Sequence, residues 1–175
     1  MRNKVLWGVL ALVLVGANVL IVAKERVLAN GEVMLLELGS RDPRSLMQGD
    51  YMTLRYLLAN DIGLLVPAAS ADGRLVVRLD ENRVAQSVRL HDPAVALAHG
   101  ERLLRFRKRG QLVRLGAEAF FFQEGQARIY QPARYGELRV DATGDAVLVG
   151  LRGSDFTPLG GAPLSLISEP PAAPL

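Results

Sequence analysis

The chain has 175 residues, of which 50% are hydrophobic, 22% charged and only 6% aromatic, a composition that suits one globular domain with one additional element. It holds no Cys and two His, which excludes a disulfide framework, a thiolate zinc site and a cysteine nucleophile and leaves little for a histidine metal centre; no cofactor and no metal is expected. The net charge of +3 lies wholly in residues 1 to 26, where Arg2, Lys4, Lys24 and Arg26 face Glu25; the remainder keeps 17 of the 21 basic and 17 of the 18 acidic side chains, so its field is neutral and no nucleic acid is expected as a partner.

Val5 to Ala23 is an uncharged run of 19 residues whose one strongly polar side chain is Asn18. As a helix it spans roughly 28 Å at about 1.5 Å per residue, enough to cross a bilayer. A cleaved signal peptide is the competing reading, with small residues at Val27-Leu28-Ala29 for a cut. The run exceeds the usual apolar region of about 7–15 residues, however, and Lys24-Glu25-Arg26 intervenes, so residues 1–29 read as an uncleaved anchor. Arg2, Lys4 and the terminal amine slightly outweigh Lys24 and Arg26, which favours the N-terminus inside and the domain outside. Asn18 and Gly16 suit a partner helix, although a single Asn in an anchor is also simply tolerated.

The helical run is expected to stop at Asn30-Gly31, a pair that accepts positive φ, and Glu32 to Leu38 to form a strand. Gly39 to Arg44 has turn chemistry. Asp50 to Leu58 then alternates, with Met52, Leu54, Tyr56 and Leu58 on one face and Tyr51, Thr53 and Arg55 on the other, as in a strand half-buried on a core. Hairpins are expected from Arg74–Leu79 with Val84–Leu90, from Arg102–Arg107 with Gln111–Leu115 around a Lys108-Arg109-Gly110 turn, from Ala117–Gln123 with Gln126–Tyr130, and from Gly136–Val140 with Ala146–Arg152. His91 to His99 is the expected short helix. About nine short strands at close spacing predict a mostly β protein: a single N-terminal transmembrane helix followed, over 30–157, by a compact β-meander or barrel-like domain. Residues 158–175 read as a Pro-rich irregular tail, in which Leu164, Leu166 and Ile167 could add a terminal strand.

Gly49-Asp50-Tyr51-Met52-Thr53-Leu54-Arg55-Tyr56 resembles, letter for letter, the motif that names the GDYXXLXY family of bacterial membrane-anchored proteins. Asp42 to Gln48, Phe120 to Ala127 and Ala133 to Glu137 look like that family too. The resemblance implies a small bacterial envelope protein with an N-terminal anchor, whose genes tend to lie beside those of polytopic membrane proteins; together with the charge balance it leads to the expectation of a single pass through the inner (cytoplasmic) membrane, the domain on the periplasmic or outer side, and a polytopic membrane protein as partner. It implies no activity. A fainter likeness in the order of features is to signal peptidase I, whose Ser nucleophile and Lys base sit on a largely β fold. Carried over, the nucleophile is Ser45, but its spacing to Gly49 is too short and Val84 to Leu90 holds no Lys. Lys108 is the sole Lys outside the anchor region, and an Arg cannot stand in, because it does not deprotonate to accept a proton.

The bland reading of each remaining candidate is structural. Asp50, directly after Gly at a strand entrance, is expected to accept backbone N–H bonds and fix a turn. Tyr51 and Tyr56 point to opposite faces, one to the core and one to a rim or partner surface. His91-Asp92 reads as a capped turn before Pro93. Arg102, Arg105, Arg107, Lys108 and Arg109 read as a solvated hairpin face, the functional alternative being contact with anionic lipid headgroups or an acidic partner. Of Phe120, Phe121 and Phe122, alternation puts Phe121 opposite the other two. It is expected to enter a second packed layer, the alternative being an exposed ring that marks a partner surface. The functional expectation is a non-catalytic membrane-anchored interaction protein. The alternatives are a serine hydrolase using Ser45 and an envelope lipid-binding or ligand-binding β barrel.

Overall fold

The computed structural model describes residues 2–39, 51–63, 66 and 72–160. The apolar run closes its backbone hydrogen bonds within itself and forms one helix, α1 (Arg2–Asn30). The most apolar 18-residue window of Leu6–Asn30 has a mean hydropathy of 2.5 and none of it is buried, so among the described residues one helix is long and apolar enough to cross a membrane. The C-terminal end of the helix meets the domain: Val27 is buried, and Arg139 donates to the Gly31 carbonyl at 3.1 Å. The helix ends where expected, for a different reason. Gly31 is not in the left-handed region; its N–H continues the helical pattern to the Val27 carbonyl at 2.8 Å, and a Cβ there would run into that carbonyl oxygen and reach 3.0 Å from the Val140 nitrogen. Glycine is needed for close approach rather than for φ.

The rest is mostly strand, nine of them among the described residues. β1 (Glu32–Glu37) pairs antiparallel with β8 (Tyr135–Val140), which pairs with β9 (Ala146–Arg152). β3 (Asp72–Leu79) lies between β4 (Ala85–Leu90) and β5 (Glu101–Arg109), and β5 continues to β6 (Leu112–Leu115). β2 (Tyr51–Thr53) and β7 (Ala119–Phe121) form a separate two-stranded ribbon. The sheets are joined into a curl by single links: Leu35 bridges Val84, Leu38 bridges Tyr56, Leu54 donates to Glu118 O at 2.7 Å, and Arg105 donates to Gly144 O at 2.8 Å. Bulges between Val76 and Val77 and between Glu137 and Leu138 add the bend that curling requires. The inside of this half-barrel is filled by Met34, Leu36, Leu75, Leu104, Leu115, Leu138 and Leu151, all nearly or fully buried. Phe106 lies over Gly73 on the facing strand, where any Cβ would come within 2.5 Å of the ring.

Three expectations fail. The strand expected over Asp50 to Leu58 stops early: its alternation holds as far as Tyr56, after which α2 (Leu57–Gly63) begins. Leu58 and Ile62, four residues apart, bury one helical face there, and that spacing outweighs the shorter period-2 pattern. His91 to His99 forms turns rather than a helix; residues 92–99 are all exposed, and so short a segment with no packed face does not sustain helix. Gln126 to Tyr130 is not a strand. β7 pairs upstream with β2, and α3 (Ala127–Tyr130) instead packs Tyr130 against Phe120 and Phe122, at ring-centroid distances of 4.9 and 5.4 Å. The Arg/Lys turn is also one step shorter than expected, since β5 runs through Lys108 and Arg109 to a turn at Gly110 and Gln111. Most of the Pro-rich tail, with Leu164, Leu166 and Ile167, lies outside the described residues.

Candidate interaction surfaces

Local sequence sorts the motif residues into two roles. Leu54 and Tyr56 are core residues, each 3% exposed. The Tyr56 hydroxyl donates to the Ala117 carbonyl at 2.8 Å and so ties the β6–β7 connection to the interior. Burial, with a smaller contribution from the Glu118 carboxylate, pushes its phenol well above the ordinary range, so it stays neutral. Tyr51 is the outward partner, 39% exposed. Gly49, Asp50 and Ser45 lie outside the described residues. The role expected for Asp50 is seen at two other turns: Asp80 accepts the N–H groups of Asn82 and Val84 at 2.9 and 2.8 Å, and Asp141 accepts those of Thr143 and Asp145 at 2.9 and 3.0 Å.

Phe121 corrects an expectation. It does not enter a packed layer but is 74% exposed, and it lies against Tyr51 with ring centroids 5.6 Å apart. The pairing register explains this: Tyr51 faces Phe121 and Met52 faces Phe120, so one cross-strand pair of the ribbon points inward and the next outward. Phe120 and Phe122 flank a cleft of about 370 Å³ whose wall also includes Tyr130, Leu151 and Leu159, with Glu137 held by Arg152 at 2.8 Å. Phe121 lines that cleft as well.

The cationic hairpin splits along its two faces. Arg105, Arg107 and Arg109 point outward. Lys108, expected on the same surface, points inward with Leu104 and Phe106, is buried, and donates to the Val66 carbonyl. Lys108 therefore does not belong to the surface. Its place is taken by Arg114 of β6, directly opposite Arg107, and by Lys24 of α1; these cations with Glu118 and Asp145 line a cleft of about 440 Å³. Sequence order hid both additions, since Lys24 lies in another element and Arg114 on another strand. Cross-strand pairing in the expected hairpin was the signal that could have found Arg114.

His91-Asp92 forms the expected turn, with Asp92 accepting the Ala94 N–H at 2.9 Å. Among the described residues no group of three or more His, Asp or Glu is placed to hold a metal ion. Comparison with family models matches residues 13–151 to the family described as GDYXXLXY protein. This chain belongs to that family. The likeness to signal peptidase I is not borne out, and comparison with curated proteins and with solved structures gives no match.

Proposed function

We propose that this GDYXXLXY protein is a membrane-anchored envelope protein without catalysis of its own, whose β domain assembles with a polytopic membrane protein through the Tyr51–Phe121 ribbon. The observation that carries the reading is the exposure of Phe121 beside Tyr51, on strands whose neighbouring residues Met52 and Phe120 pack inward. Leaving such a ring in water forgoes roughly 25 cal/mol for each Å² of apolar area that could be covered, and rigid aromatic side chains are the usual anchors of protein interfaces. α1 supplies the second support, since it confines the domain to the membrane surface where such a partner is found. The slight cationic excess before the apolar run orients the N-terminus to the cytoplasm and the domain to the periplasmic or outer side of the inner membrane. Burial of Val27 against the domain favours an anchor that stays joined to it.

Site-specific photocrosslinking in intact cells tests the reading. A crosslinking residue at Phe121 is expected to give an adduct with a polytopic membrane protein that is lost on Tyr51→Ser, whereas the same residue at the exposed Gln86 gives none. Equal labelling from both positions, or none from 121, overturns it.

A further inference from the structure

The cleft between α1 and the β5–β6 hairpin has a position as well as a charge. Lys24 is the first residue after the apolar run that ends at Ala23, so if α1 spans a bilayer Lys24 stands at the level of the lipid headgroups, and whatever shares a cleft with it stands there too. Arg105, Arg107, Arg109 and Arg114 share that cleft. Five cations thus face two carboxylates, Glu118 and Asp145. The carboxylates are already engaged: Asp145 pairs with Arg105 at 3.1 Å, and Glu118 with Arg114 at 3.1 Å. Arg105 also lies 3.9 Å from Asp72. Lys24, Arg107 and Arg109 have no carboxylate partner among the described residues. Beside these charges Leu112, directly opposite Arg109 and so on the same outward face, is 65% exposed at the hairpin end.

We infer that this cleft holds the phosphodiester headgroup of an anionic phospholipid, with Lys24, Arg107 and Arg109 supplying the charge and Leu112 entering the apolar edge of the same leaflet. Guanidinium groups match phosphate oxygens two at a time, and an exposed Leu among cations fits a surface wet on one side and oily on the other. An acidic protein would meet the charges but leave Leu112 and the height of Lys24 without a role. The inference rests on the membrane reading of α1 and is independent of the Tyr51–Phe121 surface. It gives the anchor a second point of attachment, so that the domain is held at a fixed attitude rather than hanging from one helix.

The test uses the full chain in neutral detergent, offered equal amounts of phosphatidylglycerol and phosphatidylcholine, with retained lipid counted by native mass spectrometry. The wild-type chain is expected to retain phosphatidylglycerol preferentially. Removing two unpaired cations in R107A/R109A is expected to lower that preference by about 25-fold, at about fivefold for each cation, while R107K/R109K keeps most of it and R128A, on α3, leaves it unchanged. Unchanged thermal melting of the exposed double variant shows that folding is not the cause. Equal retention of the two lipids, or full preference in R107A/R109A, overturns the inference alone. Retention of neither lipid likewise overturns the inference, and release of the intact chain from membranes by an alkaline carbonate wash is the separate outcome that overturns the membrane reading of α1. Loss of the preference on adding millimolar inorganic phosphate would make the cleft a free-phosphate site. Binding of poly-glutamate without any lipid preference would assign it to an acidic partner.

Discussion

β5 and β7 obey the same alternation and put it to different uses. In β5 the inward residues are Leu104, Phe106 and Lys108, and the outward ones are Arg105, Arg107 and Arg109. In β7 the inward residue is Phe120 and the outward one is Phe121. An outward Arg is at home in water, whereas an outward Phe is not; an inward Lys needs a partner, and Lys108 has the Val66 carbonyl. The period thus assigns faces, and the chemistry of the side chain decides whether its face is inert. By that criterion the two positions out of keeping with their surroundings are Lys108, satisfied from within, and Phe121, 74% exposed with Tyr51 as its ring partner among the described residues.

The inward face of β5 is expected to show the largest effect on stability. Phe106 is 3% exposed and its ring fills the space above Gly73. Phe106→Ala is expected to cost about 3–5 kcal/mol, read as a lower melting temperature of the full chain in neutral detergent. A loss below about 1 kcal/mol would mean that the curl does not depend on its interior at this point.

Lys108 against Arg107 makes the same comparison between adjacent residues. Lys108→Ala removes the donor to the Val66 carbonyl and leaves an acceptor buried, for an expected loss of about 1–3 kcal/mol, while Arg107→Ala stays within about 0.5 kcal/mol. Equal melting temperatures for the two variants would place Lys108 on the solvent side after all. Tyr56 against Tyr51 extends the comparison to β2 and the segment that follows it. Tyr56→Phe deprives the Ala117 carbonyl of its donor and is expected to cost about 1–2 kcal/mol, whereas Tyr51→Phe is expected to be neutral. The pH dependence has a definite sign. Because the folded protein holds the Tyr56 phenol neutral above its ordinary value of 10.0, that contribution to stability is complete below about pH 10 and is lost as the pH rises further; Tyr56→Phe is expected to flatten this alkaline decline.

Legibility in the sequence followed the range of the interaction. The long apolar helix, the β3–β4, β5–β6 and β8–β9 hairpins, and the opposite orientations of Tyr51 and Tyr56 depend on neighbours in sequence and were readable from period and turn chemistry; the stop before β1 was placed rightly, but from a positive φ that Gly31 does not adopt. The β2–β7 ribbon was not, because its partners Met52 and Phe120 are far apart in the chain and the intervening hairpins offered nearer matches. α2 was missed because Leu58 satisfies both periods, and of the buried helix residues only Ile62 decides for the helix. The cationic cleft was half legible: the outward arginines of β5 and the inward place of Lys108 follow from alternation, but the approach of Lys24 has no local sign.

The smallest expected effect on stability is also the one that bears most directly on function. Phe120, Phe121 and Phe122 are consecutive and chemically identical, so their differences arise from position alone. Phe120 packs edge-on to Tyr130 at 4.9 Å, and Phe122 lies 5.4 Å from the same ring, both on the side of the core. Among the described residues the ring partner of Phe121 is Tyr51, on the outer side, a contact worth about 0.5–1.5 kcal/mol when buried and less when wet. Phe120→Ala is therefore expected to cost several times what Phe121→Ser does, and Phe121→Ser to leave melting within about 0.5 kcal/mol of the wild type. If Phe121→Ser instead destabilises the isolated full chain by 3 kcal/mol or more, the ring belongs to a packed layer and the ribbon loses its claim as an interface. If melting is unchanged and crosslinking to the membrane partner falls, the exposed ring is retained for binding, because nothing in the fold of the free protein requires it.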